Sequence, residues 1–421
     1  MPPNVGFAGL GAMGGGMAKN LVKNGFQVTG YDVYQPLVDS FVEAGGKAAK
    51  SPREAATGVD FFVSMVANAA QNASLLFDGP DALIHGLGKG KTFILCSTCP
   101  PAFLPELRKR LDEEAQRPDI KLLDCPVSGG TIRAGNGTLS IFSSGPDADL
   151  DNAKEVLECM SGNLYRMGEI SNGTKTKTVH QLLAATNIIS ASEAMGLAAT
   201  VGLNTQAVME HVNASDAASF MFENRTPHML ANDWHPFSAL GIILKDAGIV
   251  TEAARQQSFP TPLASTAEQE YLRGVQAGIL RDDDAKLVQL YLPKDQGDLV
   301  SKCASADVKL NSNYQVSKET VSDLLAGIHL AASVEGMAFC KKLGIDSQTM
   351  YEIIAKAAGW NAMFTKCIPV MLVKDEWTLA GCKQAEEVRA KLAEAVEKCA
   401  QIKYPCPMAA AALQQFNFAS R

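Results

Sequence analysis

The chain has 421 residues, 47% hydrophobic and 20% charged, with a formal net charge of −7. Its length exceeds what one hydrophobic core usually serves, so two or three domains are expected, and the composition is globular rather than disordered. The acidic balance and the lack of any Lys/Arg-rich run argue against nucleic-acid and anionic-membrane partners.

No apolar run is expected to reach the length of a membrane span, and the start "MPPNVGFAGLG" enters an apolar strand without a leader-like segment; a cytoplasmic protein is the expectation. Ten cysteines at irregular spacing read as reduced thiols. The C-x-x-C pair Cys96 and Cys99 has no second pair or His cluster to complete a zinc site. It reads as two small buried hydrophobes, and no metal is expected.

Residues 4–32, "NVGFAGLGAMGGGMAKNLVKNGFQVTGYD", predict a strand, a glycine loop, a helix and a second strand ending at Asp32. The loop Gly9-Leu10-Gly11-Ala12-Met13-Gly14 supplies a glycine for a tight turn, one where backbone approaches a pyrophosphate, and one where helix packs on strand. The helix N-terminus then offers free N–H groups and a partial positive charge to phosphates. Asp32 falls where a carboxylate accepts from the adenosine ribose hydroxyls, which favours NAD, since a 2′-phosphate there would be repelled.

Strands and helices continue to alternate. "SPREAAT" has Ser51 as N-cap with Pro52 at the first helical position, and "VDFFVSMV", "KTFILCST" and "IKLLDCPV" read as buried strands. The expected fold is α/β: an N-terminal Rossmann domain with a doubly wound parallel sheet over residues 1–165. Ligands on such sheets bind beyond the carboxyl ends of the strands, so the loops after Val66, Cys96 and Val127 are the places to look, with Met65, Val66 and Thr98 as candidate cofactor neighbours. In "DCPVSGG", Ser128, Gly129 and Gly130 offer a hydroxyl and closely spaced N–H groups suited to a carboxylate, or simply a turn between strands.

The second half repeats itself. "NGTKTKTVHQLL" (172–183) returns as "YQVSKETVSDLL" (314–325), and residues 179–230 and 321–372 align without a gap. Identities at Leu182/Leu324, Glu193/Glu335, Met195/Met337, Gly202/Gly344 and Phe222/Phe364 preserve packing. Two homologous all-α domains are expected, at 166–295 and 316–421, with helix stops at Gly202 and Gly344 and a linker at 296–315. Lys177 and Gln181 share a helix face in the first copy; Glu319 replaces the lysine in the second, where Ala390 and Lys391 stand for Lys245 and Asp246. Lys177 alone would read as a solvated lysine, as Lys175 does. Its surroundings suggest an amine facing the nicotinamide cleft, desolvated enough to exchange a proton near neutral pH.

With these motifs in view, residues 4 to about 292 resemble the β-hydroxyacid dehydrogenase family, which includes 3-hydroxyisobutyrate dehydrogenase and, more distantly, 6-phosphogluconate dehydrogenase. The segments "KTVHQLLA", "MFENR" and "FPTPLAST" look most similar to the L-threonate dehydrogenase branch. The resemblance implies that Lys177 is the catalytic acid/base, with Gln181 where Asn is frequent. It implies that Ser128, Gly129 and Gly130 hold the substrate carboxylate, and that Lys245 and Asp246 close the cleft, Lys245 also beside the cofactor. The implied activity is NAD-dependent oxidation of a small hydroxy acid such as L-threonate. Alternatives are oxidation of a 3-hydroxy acid, reduction of succinic semialdehyde or glyoxylate, and a non-catalytic dinucleotide-binding scaffold.

Asn224 and Arg225 are candidate readers of substrate length or plain helix surface. Trp234 and Trp360 read as core or interface aromatics. By fold analogy the protein is a homodimer, or a monomer whose second copy stands in for a partner, or a piece of a larger multi-enzyme chain.

Overall fold

The computed structural model describes residues 2–305, 315–381 and 383–419. The chain divides into two compact units, Met1–Thr178 and Val179–Arg421.

In the first unit, strands β1 (Asn4–Ala8), β2 (Gln27–Tyr31), β3 (Lys47–Ala48), β4 (Phe61–Ser64), β5 (Thr92–Leu95) and β6 (Lys121–Asp124) form one parallel sheet. Their order, β3-β2-β1-β4-β5-β6, is the dinucleotide-binding arrangement. Both faces are buried. Val5, Phe7, Phe61, Val63 and Ile94 point into one core, while Ala8, Phe62, Phe93 and Leu95 point into the other. That explains strands that read as unbroken apolar runs rather than alternating ones. Cys96 packs in the first core and Cys99 in the second, so they are small hydrophobes on opposite sides of the sheet. Ser51 caps helix Pro52–Ala56 by accepting from the Glu54 N–H, as expected.

Two features were not visible in the sequence. The two-residue strand β3 is too short to carry a periodic signal. "IKLLDCPV" does not continue as one strand but ends β6 at Asp124 and starts a second sheet, β7 (Val127–Ser128), β8 (Leu139–Ser143) and β9 (Ser161–Arg166), in that order. Pro126 separates them, and a proline cannot donate to a ladder.

Helix Asn172–Thr200 carries the chain into the second unit, whose elements among the described residues are all helices. It and helix Lys318–Lys342 are, by length and composition, apolar enough to cross a membrane, with mean hydropathy 1.3 over their best windows. This corrects the expectation that no run reaches that length. The windows are 100% and 83% buried, so both serve as core helices. Both end as expected, at Gly202 (φ +79°) and Gly344 (φ +73°), where the left-handed conformation costs glycine nothing.

The two copies meet about a local pseudo-two-fold. Ser219 and Asn361, equivalent positions of the repeat, form an antiparallel bridge. The Phe220 N–H donates to Trp360 O at 3.1 Å and the Ala362 N–H to Ala218 O at 2.8 Å, so each bond has its counterpart. Trp360 thus stands at this junction through its backbone, while its indole Nε1 donates to Thr365 Oγ1 at 3.4 Å within its own copy. The segment expected as a linker, 296–315, begins with a short docked helix, Leu299–Lys302, whose Leu299 and Val300 are buried and whose Val300 O accepts from the Thr205 hydroxyl. Residues 306–314 of that segment lie outside the described residues.

Candidate active site

The glycine loop follows β1, and each glycine has a separate steric reason. Gly9 has φ +89°, and a Cβ there would lie 2.6 Å from Met65 O at the end of β4. A Cβ on Gly14 would sit 1.8 Å from Gly9 O, so helix Gly14–Lys23 packs against its own entry turn. A Cβ on Gly11 would meet nothing within 4 Å, which leaves open space over that backbone. No side chain caps the N-terminus of helix Gly14–Lys23. An open glycine before uncapped N–H groups is what a pyrophosphate requires, so these residues fit a nicotinamide dinucleotide.

Asp32, just past β2, ties the loop down. Its Oδ2 accepts from the Leu10 N–H at 2.7 Å and its Oδ1 from the Tyr34 N–H at 2.9 Å. Each oxygen retains a lone pair for a further donor, such as a ribose hydroxyl. Val33 and Tyr34, which the sequence reading passed over, are 90% and 61% exposed next to it. Met65 and Val66 lie beyond β4, and the Ser97 hydroxyl beyond β5 donates to Val66 O at 2.7 Å, fixing the loop that contains Thr98.

Ser128 is buried at the end of β7; Gly129 (φ +138°) and Gly130 (φ +72°) follow and open helix Gly130–Asn136. Gly16 lets the glycine-loop helix approach this one, since a Cβ would lie 2.8 Å from Ala134 C. Asn20 fastens the two, its Nδ2 donating to Ala134 O at 2.7 Å and to Gly16 O at 3.0 Å. Ser128, Gly129 and Gly130 therefore have fixed geometry relative to the glycine loop.

Lys177 is only 6% exposed, which removes the solvated-lysine reading. Lys175 is half-buried and donates to Asn172 Oδ1 at 3.3 Å. The start of their helix is held by Asp124, a residue that sequence reasoning missed. Asp124, at the end of β6, accepts from the Thr174 N–H at 2.8 Å, the Thr174 hydroxyl at 2.6 Å and the Ser144 hydroxyl at 3.0 Å. Ser144 Oγ in turn accepts from the Gly173 N–H at 3.0 Å. Gly173 is required by contact: a Cβ would lie 2.2 Å from Phe142 O. Burial pushes the Asp124 carboxyl up to about 6, with the Thr174 and Ser144 donors and the Lys175 charge pulling the other way. A carboxylate at a helix N-terminus also complements the helix dipole.

In the second unit, Gln181, Lys245 and Asp246 come together. Gln181 Nε2 donates to Asp246 Oδ2, and Lys245 Nζ lies 3.1 Å from Asp246 Oδ1. With its amide nitrogen so used, Gln181 turns Oε1 to His180 Nδ1 at 2.9 Å, which places the imidazole hydrogen on Nδ1. Asn224 and Arg225 do not join this group. Arg225 is 8% exposed and forms a two-pronged pair with buried Asp284 (2.5 and 2.9 Å), and its third nitrogen donates to Oδ1 of Asn224, which is itself exposed, so Arg225 is held in a buried structural pair and Asn224 lies on the helix surface.

The second copy has a different surface at the corresponding positions. Glu319 is exposed, and Asp323 and Lys391, in the places of Gln181 and Asp246, line a small cleft with Asp216 and Lys366. Burial raises the Asp323 carboxyl, and Lys391 pairs with Glu387 at 2.8 Å.

Residues 4–168 match the family model "NAD binding domain of 6-phosphogluconate dehydrogenase". Residues 171–291 and again 315–421 match "NAD-binding of NADP-dependent 3-hydroxyisobutyrate dehydrogenase", so the repeat is a duplication of that helical module. The chain belongs to the β-hydroxyacid dehydrogenase family, and is an NAD-dependent dehydrogenase acting on CH–OH groups. Among its relatives, the L-threonate dehydrogenase of Cupriavidus necator is 37% identical over 292 residues, 69% of this chain and 97% of that one. The crystal structure of 3-hydroxyisobutyrate dehydrogenase from Salmonella typhimurium aligns with a TM-score of 0.63 at 35% identity, over 69% of this chain and all of that one. Plasmodium falciparum 6-phosphogluconate dehydrogenase shares the fold across both copies, with a TM-score of 0.70 at 15% identity over 99% of this chain and 93% of that one.

Proposed function

We propose that this enzyme oxidises C2 of L-threonate, or of a similar four-carbon sugar acid, to the 2-oxo acid. The observation that carries the reading is the 37% identity to an L-threonate dehydrogenase across nearly the whole of that enzyme. Bound NAD supplies the hydride acceptor. The chain's own residues have three tasks: hold the carboxylate, orient the carbinol carbon, and take the hydroxyl proton as the hydride departs.

Ser128 and the N–H groups of Gly129 and Gly130 suit the first task, being a hydroxyl and two donors without side-chain obstruction. Lys177 suits the last. Its amine is withdrawn from water and is the kind of group that accepts a proton when the ammonium form is not fully solvated. Gln181, held by Asp246 and His180, is one helical turn from Lys177 and offers an orienting amide. Asp32 favours NAD over its 2′-phosphate by like-charge repulsion.

The test follows NADH formation with L-threonate, D-threonate, 3-hydroxyisobutyrate and L-serine side by side. A kcat/KM for L-threonate at least ~10-fold above the others supports the reading, a discrimination of the size expected from one or two well-placed hydrogen bonds. A higher value for 3-hydroxyisobutyrate or L-serine would replace L-threonate within the same enzyme class.

A further inference from the structure

Glu193 and Glu335 occupy equivalent positions in the two copies, and each carboxylate caps a helix of the other copy, while Glu335 Oε2 also accepts from Gln415 Nε2 of its own copy. Glu335 Oε2 accepts from the Leu263 N–H at 3.0 Å and its Oε1 from the Ala264 N–H at 2.9 Å. Glu193 Oε2 accepts from the Met408 N–H at 2.8 Å and its Oε1 from the Ala409 N–H at 3.1 Å. The recipients are the first free N–H groups of helices Pro262–Gln276 and Pro407–Ala419. Proline opens each helix and lacks an N–H, and Thr261 gives the first no side-chain cap, so in that helix the carboxylate from the other copy takes the cap's place.

This crossed exchange has the isologous form of a symmetric dimer interface, built within one chain. It has a directional consequence for the catalytic copy. Helix Pro262–Gln276 packs on helix Leu240–Gln256, which presents Lys245 and Asp246. The second copy also reaches the Gln181 segment: Gly359 lies against His180 O and Leu183, and Gly359 O accepts from Asn187 Nδ2 at 3.3 Å.

We propose that residues 315–421 serve the enzyme as an internal partner subunit, and that Glu335 is the positioning residue this copy supplies to the catalytic one. The second copy lost Lys177 and Gln181 but kept Glu335, because the carboxylate is needed across the interface and not at a site of its own. Its role in turnover rests on the dehydrogenase reading above; its role as a crossed clamp does not.

The experiment compares Glu335→Ala, Glu335→Gln and Glu193→Ala in the full chain by hydrogen exchange without ligands, followed by steady-state kinetics. Glu335→Ala is expected to raise exchange at the start of 262–276 and in 240–256 while the first turn of 407–419, which Glu193 caps, stays protected, whereas Glu193→Ala does the reverse. Glu335→Ala is also expected to raise KM for the hydroxy acid ~10-fold or more with KM for NAD within about two-fold, the loss of two buried helix-capping hydrogen bonds. Glu335→Gln, which keeps one acceptor, recovers part of that loss. Exchange that rises uniformly in both alanine variants, or only in each residue's own copy, overturns the proposal, as does an unchanged hydroxy-acid KM in Glu335→Ala. If no hydroxy acid is turned over by the wild type, the dehydrogenase substrate is at fault, and the exchange pattern still decides the clamp.

Discussion

Asp124 grips Thr174 twice, through the backbone N–H at 2.8 Å and the hydroxyl at 2.6 Å, three residues before Lys177 on the same helix. A buried carboxylate at the end of a sheet strand thus fixes the start of the helix that presents the candidate base. Burial raises its folded-state affinity for a proton, pushing the carboxyl up to about 6, above the ordinary carboxylate range. The folded protein therefore binds this proton more tightly than the unfolded chain, and the group's contribution to stability falls as pH rises between about 4 and 6. Asp124→Asn is expected to remove a slope of up to about 1.4 kcal/mol per pH unit across that window. Urea unfolding of both proteins at several pH values checks this, and parallel curves would refute it.

Replacing Lys177 by Ala is expected to lower kcat at least ~10²-fold, the usual worth of a positioned proton carrier. Lys175→Ala, on the same helix, is expected to stay within a few-fold, because Lys175 is engaged with Asn172. Equal losses in both variants would point to disturbance of the helix start rather than to chemistry at Lys177.

The glycine loop offers a contrast between fold and binding. Gly14→Ala places a methyl 1.8 Å from Gly9 O and is expected to cost more than about 2 kcal/mol of stability. Gly11→Ala meets nothing within 4 Å, so its stability is expected to change by less than about 1 kcal/mol. The new methyl fills the space over the backbone, and KM for NAD should rise ~10-fold or more if the pyrophosphate lies there. Thermal unfolding and NAD titration separate the two effects.

Arg225 tests the reassignment of the "MFENR" segment. Arg225→Met leaves Asp284 buried without its cation and is expected to cost about 3–5 kcal/mol. The double variant Arg225→Met with Asp284→Leu is expected to recover much of that. Where the single variant still folds, its preference among hydroxy acids should match the wild type; a changed preference would return Arg225 to the substrate site.

The sequence by itself determined the elements whose signals are local. The turn at Gly9, the close packing at Gly14, the cap at Ser51 and the helix stops at Gly202 and Gly344 follow from backbone sterics that a residue type carries wherever it stands. The duplication was legible for a related reason: identities at packing positions survive when surface chemistry drifts. Tertiary structure decided what depends on partners far apart in the chain. Asp124 appears in the sequence as one more acid at a strand end, and only folding shows that it meets Ser144 and Thr174. Arg225 read as a substrate reader or as plain helix surface until Asp284 was placed beside it. The shared Glu193 and Glu335 looked like conserved packing, yet their carboxylates cross to opposite copies. A charged side chain gains its role from the donors that replace water around it, and those donors are assembled only by the fold.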